Sequence, residues 1–246
     1  MHKNLKIYYI NLDRSQDRRK FMEQQFDNLG IKAIRVKAID GKELPKSDIL
    51  EIENRLKQSN EHYTLPNVGE IGVYLSHKKI WEIVSKQKED FALILEDDAL
   101  IDMKLISDLN TLLSFIRNGE IIDISGLKGF LPLESKINKD IEIIRYLTPS
   151  LVIISTIFTR NAAKRMLEVF KEYNMPVDNM LQQVYKHKSN IWITKHPYVK
   201  TNYKNLGGST IQNQSKKSLI EKLKREILRP IYRVKTHIKN VITYIK

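Results

Sequence analysis

Phe91-Ala92-Leu93-Ile94-Leu95-Glu96-Asp97-Asp98 is a short apolar run that ends in three consecutive carboxylates. A run of this length and character suits a strand covered on both faces, as in a sheet flanked by helices. The carboxylates cannot follow it into the core, because unpaired buried charge is too costly, so they mark the strand's exit. In open α/β sheets that edge is where ligands bind. Side chains alternate along an extended chain, so Glu96 and Asp98 are expected to point one way and Asp97 the other. Hard oxygen ligands so placed suit Mg²⁺ or Mn²⁺, which commonly takes one or two protein carboxylates plus substrate phosphates. The competing reading is an ordinary acidic turn.

Working outward, Leu5 to Asn11 reads as a first strand and is followed by a helix capped around Asp13 or Ser15, with Met22, Phe26 and Leu29 on one face. Gly30 is a natural stop for it. Ile31 to Ile39 alternates as a second strand, and Asp40-Gly41 makes a turn, which completes a βαβ opening. After a more polar connection, Val68 to Lys86 carries Ile71, Tyr74, Leu75, Ile80, Trp81 and Val84 at mostly helical spacing. Further helices are expected over Leu105 to Ile116, Asn161 to Tyr173 and Asn179 to Lys186, and strands over Ile121 to Ile124, Leu151 to Phe158 and Asn190 to Thr194. Lys195 to Gln214 has no clear periodicity and is expected to be a loop, a candidate mobile lid.

The chain has 246 residues, enough for a substantial α/β core, and shows neither low-complexity stretches nor a solenoid repeat. The apolar patch Ile7 to Ile10 ends at Asn11, Asp13 and Arg14, too early for a signal-peptide core, and no apolar run is long enough to span a bilayer. Without cysteine there are no disulfides or thiolate metal sites, which is compatible with a reducing cytoplasm. The net charge of +13 is unevenly spread: residues 216–246 hold ten Lys or Arg against Glu221 and Glu226. The expected organisation is therefore a modestly basic catalytic domain over 1–215 and a basic amphipathic helical tail over 216–246.

Several segments together resemble glycosyltransferase family 25, the bacterial lipooligosaccharide glycosyltransferases whose eukaryotic relatives modify collagen. They are Tyr9-Ile10-Asn11-Leu12-Asp13-Arg14 with Asp17-Arg18-Arg19, and Val36-Lys37-Ala38-Ile39-Asp40-Gly41. They continue with Gly69-Glu70-Ile71-Gly72-Val73-Tyr74-Leu75-Ser76-His77 and Trp81, Leu93 to Asp98, and Pro176-Val177-Asp178. The resemblance implies a GT-A-like nucleotide-sugar-binding fold with a mixed sheet flanked by helices. It also implies a UDP-sugar donor, a divalent cation at the acidic motif and inversion at the anomeric carbon. The segment Ser155 to Arg160 departs from the family's pattern, and it is a candidate for shaping the acceptor pocket.

Sugar transfer from UDP requires charge neutralisation on the departing diphosphate, which a cation supplies. Asp98, assisted by Glu96 or Asp97, is the expected metal site, holding Mn²⁺ or Mg²⁺. An inverting path needs one carboxylate to take the acceptor hydroxyl's proton. Asp178 is the candidate base, although its place at the head of a helix also suits a cap. The resemblance makes Asn11, Asp13, Arg14, Asp40 and Gly41 donor-site neighbours, with Arg14 or Arg18 able to pair with phosphate, and raises Ser76, His77 and Asp97 to contacts. Taken alone, each of these reads as well as a capped helix, a turn or a packed side chain. Trp81 lies on the apolar stripe and reads as core.

In the tail, Leu219, Ile220, Leu223, Ile227 and Leu228 form one apolar stripe, and Ile231, Val234, Ile238, Val241, Ile242 and Ile245 form another after Pro230. Pro230 either opens a second helix or kinks a continuous one. Such a basic amphipathic segment suits an anionic membrane surface, and the alternative is packing on the domain or on a second subunit. The aliphatic stripe argues against nucleic acid as the partner. The combined expectation is a metal-dependent, inverting transferase moving a hexose, galactose in the first instance, from UDP to a lipopolysaccharide, lipooligosaccharide or other cell-surface glycan. Its expected place is the cytoplasm, peripheral on the inner face of the cell membrane. A metal-dependent phosphoesterase using the same acids on water, or a non-enzymatic membrane- or nucleic-acid-binding protein, is the alternative.

Overall fold

The apolar run 91–96 forms a strand near the middle of a large mixed sheet in the computed structural model, which describes residues 4–59, 65–150, 153–208 and 219–245. The chain begins Leu5–Asn11 (β1), Gln16–Leu29 (α1), Ala33–Lys37 (β2), a 3₁₀ turn at Gly41–Glu43, Lys46–Gln58 (α2) and Val68–Lys86 (α3). It continues Phe91–Glu96 (β3), Ala99–Ile101 (β4), Lys104–Phe115 (α4), Ile121–Asp123 (β5), Phe130–Asn138 (β6), Ile141–Thr148 (β7) and Ser155–Thr159 (β8). Arg160–Val169 (α5), Val177–Gln182 (α6), Val184–His187 (α7), Ile191–Thr194 (β9), Val199–Thr201 (β10), a 3₁₀ turn at Tyr203–Leu206 and Leu219–Ile245 (α8) complete it.

Eight strands pair in the order β2-β1-β3-β8-β5-β9-β7-β6, and β10 pairs with β4 in a separate ribbon. β2, β1 and β3 are parallel neighbours, β8 runs against both β3 and β5, and β9 is parallel to β5. The carboxyl ends of β1, β2, β3, β5 and β9 therefore share one edge, where Asn11, Lys37, Glu96, Asp123 and Thr194 stand. Each face of the sheet is closed by its own core. Met22 and Phe26 of α1 pack with Leu105, Leu109 and Leu112 of α4 over Leu93 and Leu95. On the other face Tyr74, Ile80, Trp81 and Val84 of α3 pack with Ala162 and Met166 of α5 over Ala92 and Ile94. Trp81 is fully buried, as its stripe position required.

Local chemistry sets the boundaries. Gly30 ends α1 in the left-handed region at φ 64°, its N–H bonding back to the helix. Asn67 and Glu70 open α3 with a reciprocal cap, in which Asn67 Oδ1 accepts from the Glu70 N–H at 2.9 Å and Glu70 Oε2 accepts from the Asn67 N–H at 2.8 Å. Gly41 and Gly72 let the 3₁₀ turn and α3 touch backbone to backbone: a Cβ on Gly41 would stand 1.7 Å from the Val68 carbonyl oxygen, and one on Gly72 would stand 2.7 Å from Ile39 O.

Several expectations need correction. The polar connection after Asp40 contains α2, whose one fully buried residue is Leu56. The β6–β7 hairpin has an outer strand exposed along almost its whole length, which removes the alternation by which strands are read. Residues 195–208 are not a free lid: Val199–Thr201 pairs antiparallel with β4, while 209–214 lie outside the described residues. Ser155–Thr159 is buried at every position as a central strand, so it serves the core. α8 is one continuous helix with Pro230 inside it. Among the described residues no helix is long and apolar enough to cross a membrane.

Candidate functional site

A cleft opens at the carboxyl edge of β1, β2 and β3, between those strand ends and α3. Ile10, Leu12, Ala38 and Ile39 give it an apolar floor, and Arg14, Asp40, His77, Glu96 and Asp97 bring charge and hydrogen-bonding groups to it. Its mixture of apolar wall with a few convergent polar groups suits a small polar ligand.

β3 ends at Glu96, and the next two residues turn sharply into β4, so strict alternation does not extend to Asp98. Glu96 faces α3, where its Oε1 lies 2.8 Å from His77 Nε2. Asp97 faces α1: Oδ1 accepts from Arg18 Nη1 at 2.6 Å, and Oδ2 accepts from Asn11 Nδ2 at 2.9 Å. Asp98 faces β10, accepting from Thr201 Oγ1 at 3.0 Å, while its backbone carbonyl accepts from the Asn202 N–H. The expectation that Glu96 and Asp98 share a direction is thus corrected by the turn. Desolvation raises the carboxyl pKa of Glu96 and of Asp98.

This donor set bears on a cation in a specific way. Asp97 has one oxygen paired with Arg18 and the other with Asn11, which leaves it less open to a cation than its two neighbours. Glu96 and Asp98 each engage a single partner side chain and retain hard-oxygen capacity. Among the described residues no three His, Cys, Asp or Glu gather around a point. Because Glu96 and Asp98 face different elements, a cation here would have to be completed by ligand oxygens, the usual habit of Mg²⁺ and Mn²⁺, and would not sit in an all-protein cage.

The other expected residues divide into cleft wall and frame. Arg14 and Asp40 line the cleft as an ion pair that holds the Asp40 carboxyl below the usual carboxylate range, and Gly41 closes the wall beside them. Asp13 lies outside the cleft lining, paired with Lys37 and Arg35 at 2.6 Å each, cations that hold its carboxyl low. Asn11 is buried and spends its amide on Asp97 and Ser15 O and its carbonyl oxygen on Arg35. Ser76 lines the cleft, but its hydroxyl accepts from the Ile39 N–H and donates to Gly72 O, which fixes the exit of β2 against α3. Asp13 and Asn11 therefore support the site from behind, because their polar atoms are already paired.

Asp178 does not line the cleft and is not the cap of its helix, a place taken by Pro176. It stands in the first turn of α6, which packs against α3, and desolvation pushes its carboxyl up to about 7 against the partial opposition of His77. Asp123, at the end of β5, was not anticipated as a site residue. It accepts from the Ser125 N–H at 2.7 Å and Ser150 Oγ at 3.0 Å, and burial pushes it up to about 6. The charges of Glu96 and Asp123 raise the Asp178 pKa further. The signal for Asp123 was the one read at Glu96, an apolar strand ending in an acid. Arg18, expected as a partner for phosphate, is buried on α1 and donates to Asp97 and to Gly208 O.

Comparison with known proteins gives the same direction. The family model for glycosyltransferase family 25 (LPS biosynthesis protein) matches residues 4–181. A "Glycosyltransferase 25 family member" of Drosophila melanogaster is 36% identical over 122 residues, 48% of this chain and 20% of the relative. "Procollagen galactosyltransferase 1-B" of Xenopus laevis is 32% identical over 110 residues (44% and 18%), and "Procollagen galactosyltransferase 2" of Homo sapiens is 31% identical over 118 residues (47% and 19%). The matched part of the chain spans about a fifth of the length of these curated relatives. With most of its length matched, from β1 through α6, and a mixed sheet flanked by helices consistent with the GT-A-like fold, the chain belongs to glycosyltransferase family 25.

Proposed function

We propose that the protein transfers a hexose, galactose in the first instance, from a UDP-sugar to a lipid-linked or cell-surface oligosaccharide such as lipopolysaccharide or lipooligosaccharide, with inversion at the anomeric carbon. The observation that carries this reading is the placement of the cleft: it joins the carboxyl ends of β1, β2 and β3 to Glu96 and Asp97 of the acid triplet, with Glu96 paired to His77 of α3, the helix on which the helix of Asp178 packs. The names of the procollagen galactosyltransferases support galactose, and the family description supports a bacterial surface glycan.

In this account the nucleotide lies over Ile10, Leu12 and Ala38, with Arg14 available to a phosphate oxygen and Asp40 steadying that arginine. Asp98, assisted by Glu96 or Asp97, would hold Mn²⁺ or Mg²⁺ together with the diphosphate, and the cation would supply neutralisation of the departing charge. Asp178 takes the proton of the acceptor hydroxyl as the new carbon–oxygen bond forms and the bond from the anomeric carbon to the diphosphate breaks. The reading places the enzyme in the cytoplasm, on the inner face of the membrane where a lipid-linked acceptor is presented.

The test is product analysis with UDP-[¹⁴C]galactose or UDP-[¹⁴C]glucose and truncated lipooligosaccharide acceptors. Acceptor-dependent incorporation of label with stoichiometric release of UDP supports the reading. Release of free sugar or of phosphate with no labelled glycan, from every acceptor offered, overturns it.

A further inference from the structure

α8 docks on the domain by its polar side. Asn240 is fully buried, donating through Nδ2 to Leu147 O at 2.9 Å and Gln182 O at 3.0 Å, and accepting from the Tyr185 N–H at 3.1 Å. One turn earlier Thr236 is buried, and one turn before that Tyr232 Oη lies 2.7 Å from Gln183 Nε2. His237 Nδ1 lies 2.7 Å from Thr148 Oγ1, and the ring stacks on Phe130 at 4.2 Å. At roughly 100° per residue, Ile238 sits about 200° round the helix from Thr236. Ile231, Val234, Ile238 and Ile242 are accordingly exposed, between 47% and 55%. An amphipathic helix on a soluble body normally buries its apolar stripe, and here the arrangement is reversed.

The exposed stripe has a neighbour. Phe130, which stacks on His237, begins the outer strand of the hairpin, and Leu131 and Leu133 follow it, all more than 40% exposed. Leu131 is held in the left-handed region at φ 54°, beside a register shift between Pro132 and Glu134, a conformation that a leucine rarely adopts. Exposed apolar surface of this extent on a soluble body marks an interaction site. Charge identifies the occupant: Lys235 and Lys239 stand on one flank of the stripe, and residues 216–246 carry ten cations against two acids. Two copies meeting through this face would bring those cations together, whereas an anionic bilayer satisfies both the stripe and its basic border.

We propose that the outer stripe of α8 and the 130–133 corner of the hairpin form one platform that beds into the headgroup region of an anionic membrane, with the buried Asn240 network fixing the domain's orientation above it. This deepens the membrane location in the proposed function. It is tested with no donor or acceptor present, so its failure leaves the transfer chemistry standing and failure of the chemistry leaves it standing. Deleting 216–246 is a poor test, because it also strips Asn240 from the domain.

The experiment is sedimentation of the full chain with phosphatidylcholine vesicles, with and without about a third phosphatidylglycerol, for wild type, Val234→Glu/Ile238→Glu and Leu131→Glu. Wild type is expected to bind the anionic vesicles and to be released by high salt. The double variant should bind at least about tenfold more weakly with an unchanged melting temperature, and Leu131→Glu several-fold more weakly. Absence of wild-type binding to anionic vesicles, or equal binding by the double variant, overturns the proposal. So does a wild-type dimer in light scattering that the double variant converts to a monomer, because the stripe would then be an interface between copies. Unchanged binding by Leu131→Glu overturns the hairpin's part in the platform.

Discussion

Arg18 Nη1 lies 2.6 Å from Asp97 Oδ1 with both side chains about nine-tenths buried, tying the first turn of α1 to the turn that leaves β3. The same guanidinium donates through Nη2 to Gly208 O at 2.6 Å, so one residue links three segments that meet only at the acidic end of the sheet. Asn11 completes the arrangement by occupying the other Asp97 oxygen.

Removing one partner of a buried pair leaves an uncompensated charge, so Arg18→Ala is expected to lower stability by about 3–5 kcal/mol. The double change Arg18→Met/Asp97→Asn should recover most of that loss. Urea unfolding of the three proteins measures it. A double variant no more stable than Arg18→Ala would show that Asp97 is not held chiefly by Arg18.

The close approach of the 3₁₀ turn to α3 gives a second outcome. Gly41→Ala places a Cβ against backbone atoms of Val68, which cannot swing aside as a side chain would. A loss of about 3 kcal/mol or more is expected, read as a fall in the thermal midpoint. The change should also weaken nucleotide binding, because Gly41, Ala38 and Asp40 form one wall of the cleft.

How much of this was legible beforehand follows from the same contacts. The apolar run before Glu96 announced β3, and the spacing from Ile71 to Val84 announced α3, because both are covered elements rich in apolar residues. The positions of Arg14, Asp40, Gly41 and Glu96 around one cleft agree with the resemblance to the family. What sequence could not show was partnership. Asn11, Ser76 and Asp97 look like ligand-binding residues until their polar atoms are seen to be spent on one another, on Arg18 or on Ile39. The tail was a question of facing: its stripe was plain, but only the burial of Thr236 and Asn240 shows which side meets the domain.

Asp178 is expected to behave as a functional acid that costs stability. Its folded pKa of about 7 lies above the ordinary value of 3.8, so between those values the unfolded chain carries fewer protons and stability falls as pH rises through that window. Asp178→Asn should therefore be at least as stable as wild type at pH 8, higher by about 1–3 kcal/mol. Its transfer rate should fall by about 10²–10⁴, with UDP affinity nearly unchanged. In the wild type kcat/KM should climb with pH through about 7, as the carboxyl becomes the base. Equal loss of transfer and of UDP binding, together with a lowered melting temperature, would make Asp178 a folding residue.

The central claim is that the cleft at the end of β3 takes a UDP-sugar. Calorimetric titration of UDP, UDP-galactose and UDP-glucose into the folded protein tests it, with Mn²⁺ or with EDTA, for wild type and for Asp98→Ala. The account predicts binding of UDP and at least one UDP-sugar that weakens about tenfold or more both with EDTA and in Asp98→Ala. Wild-type protein that binds none of the three in the presence of Mn²⁺, or that binds them equally well without Asp98 and without metal, would contradict it.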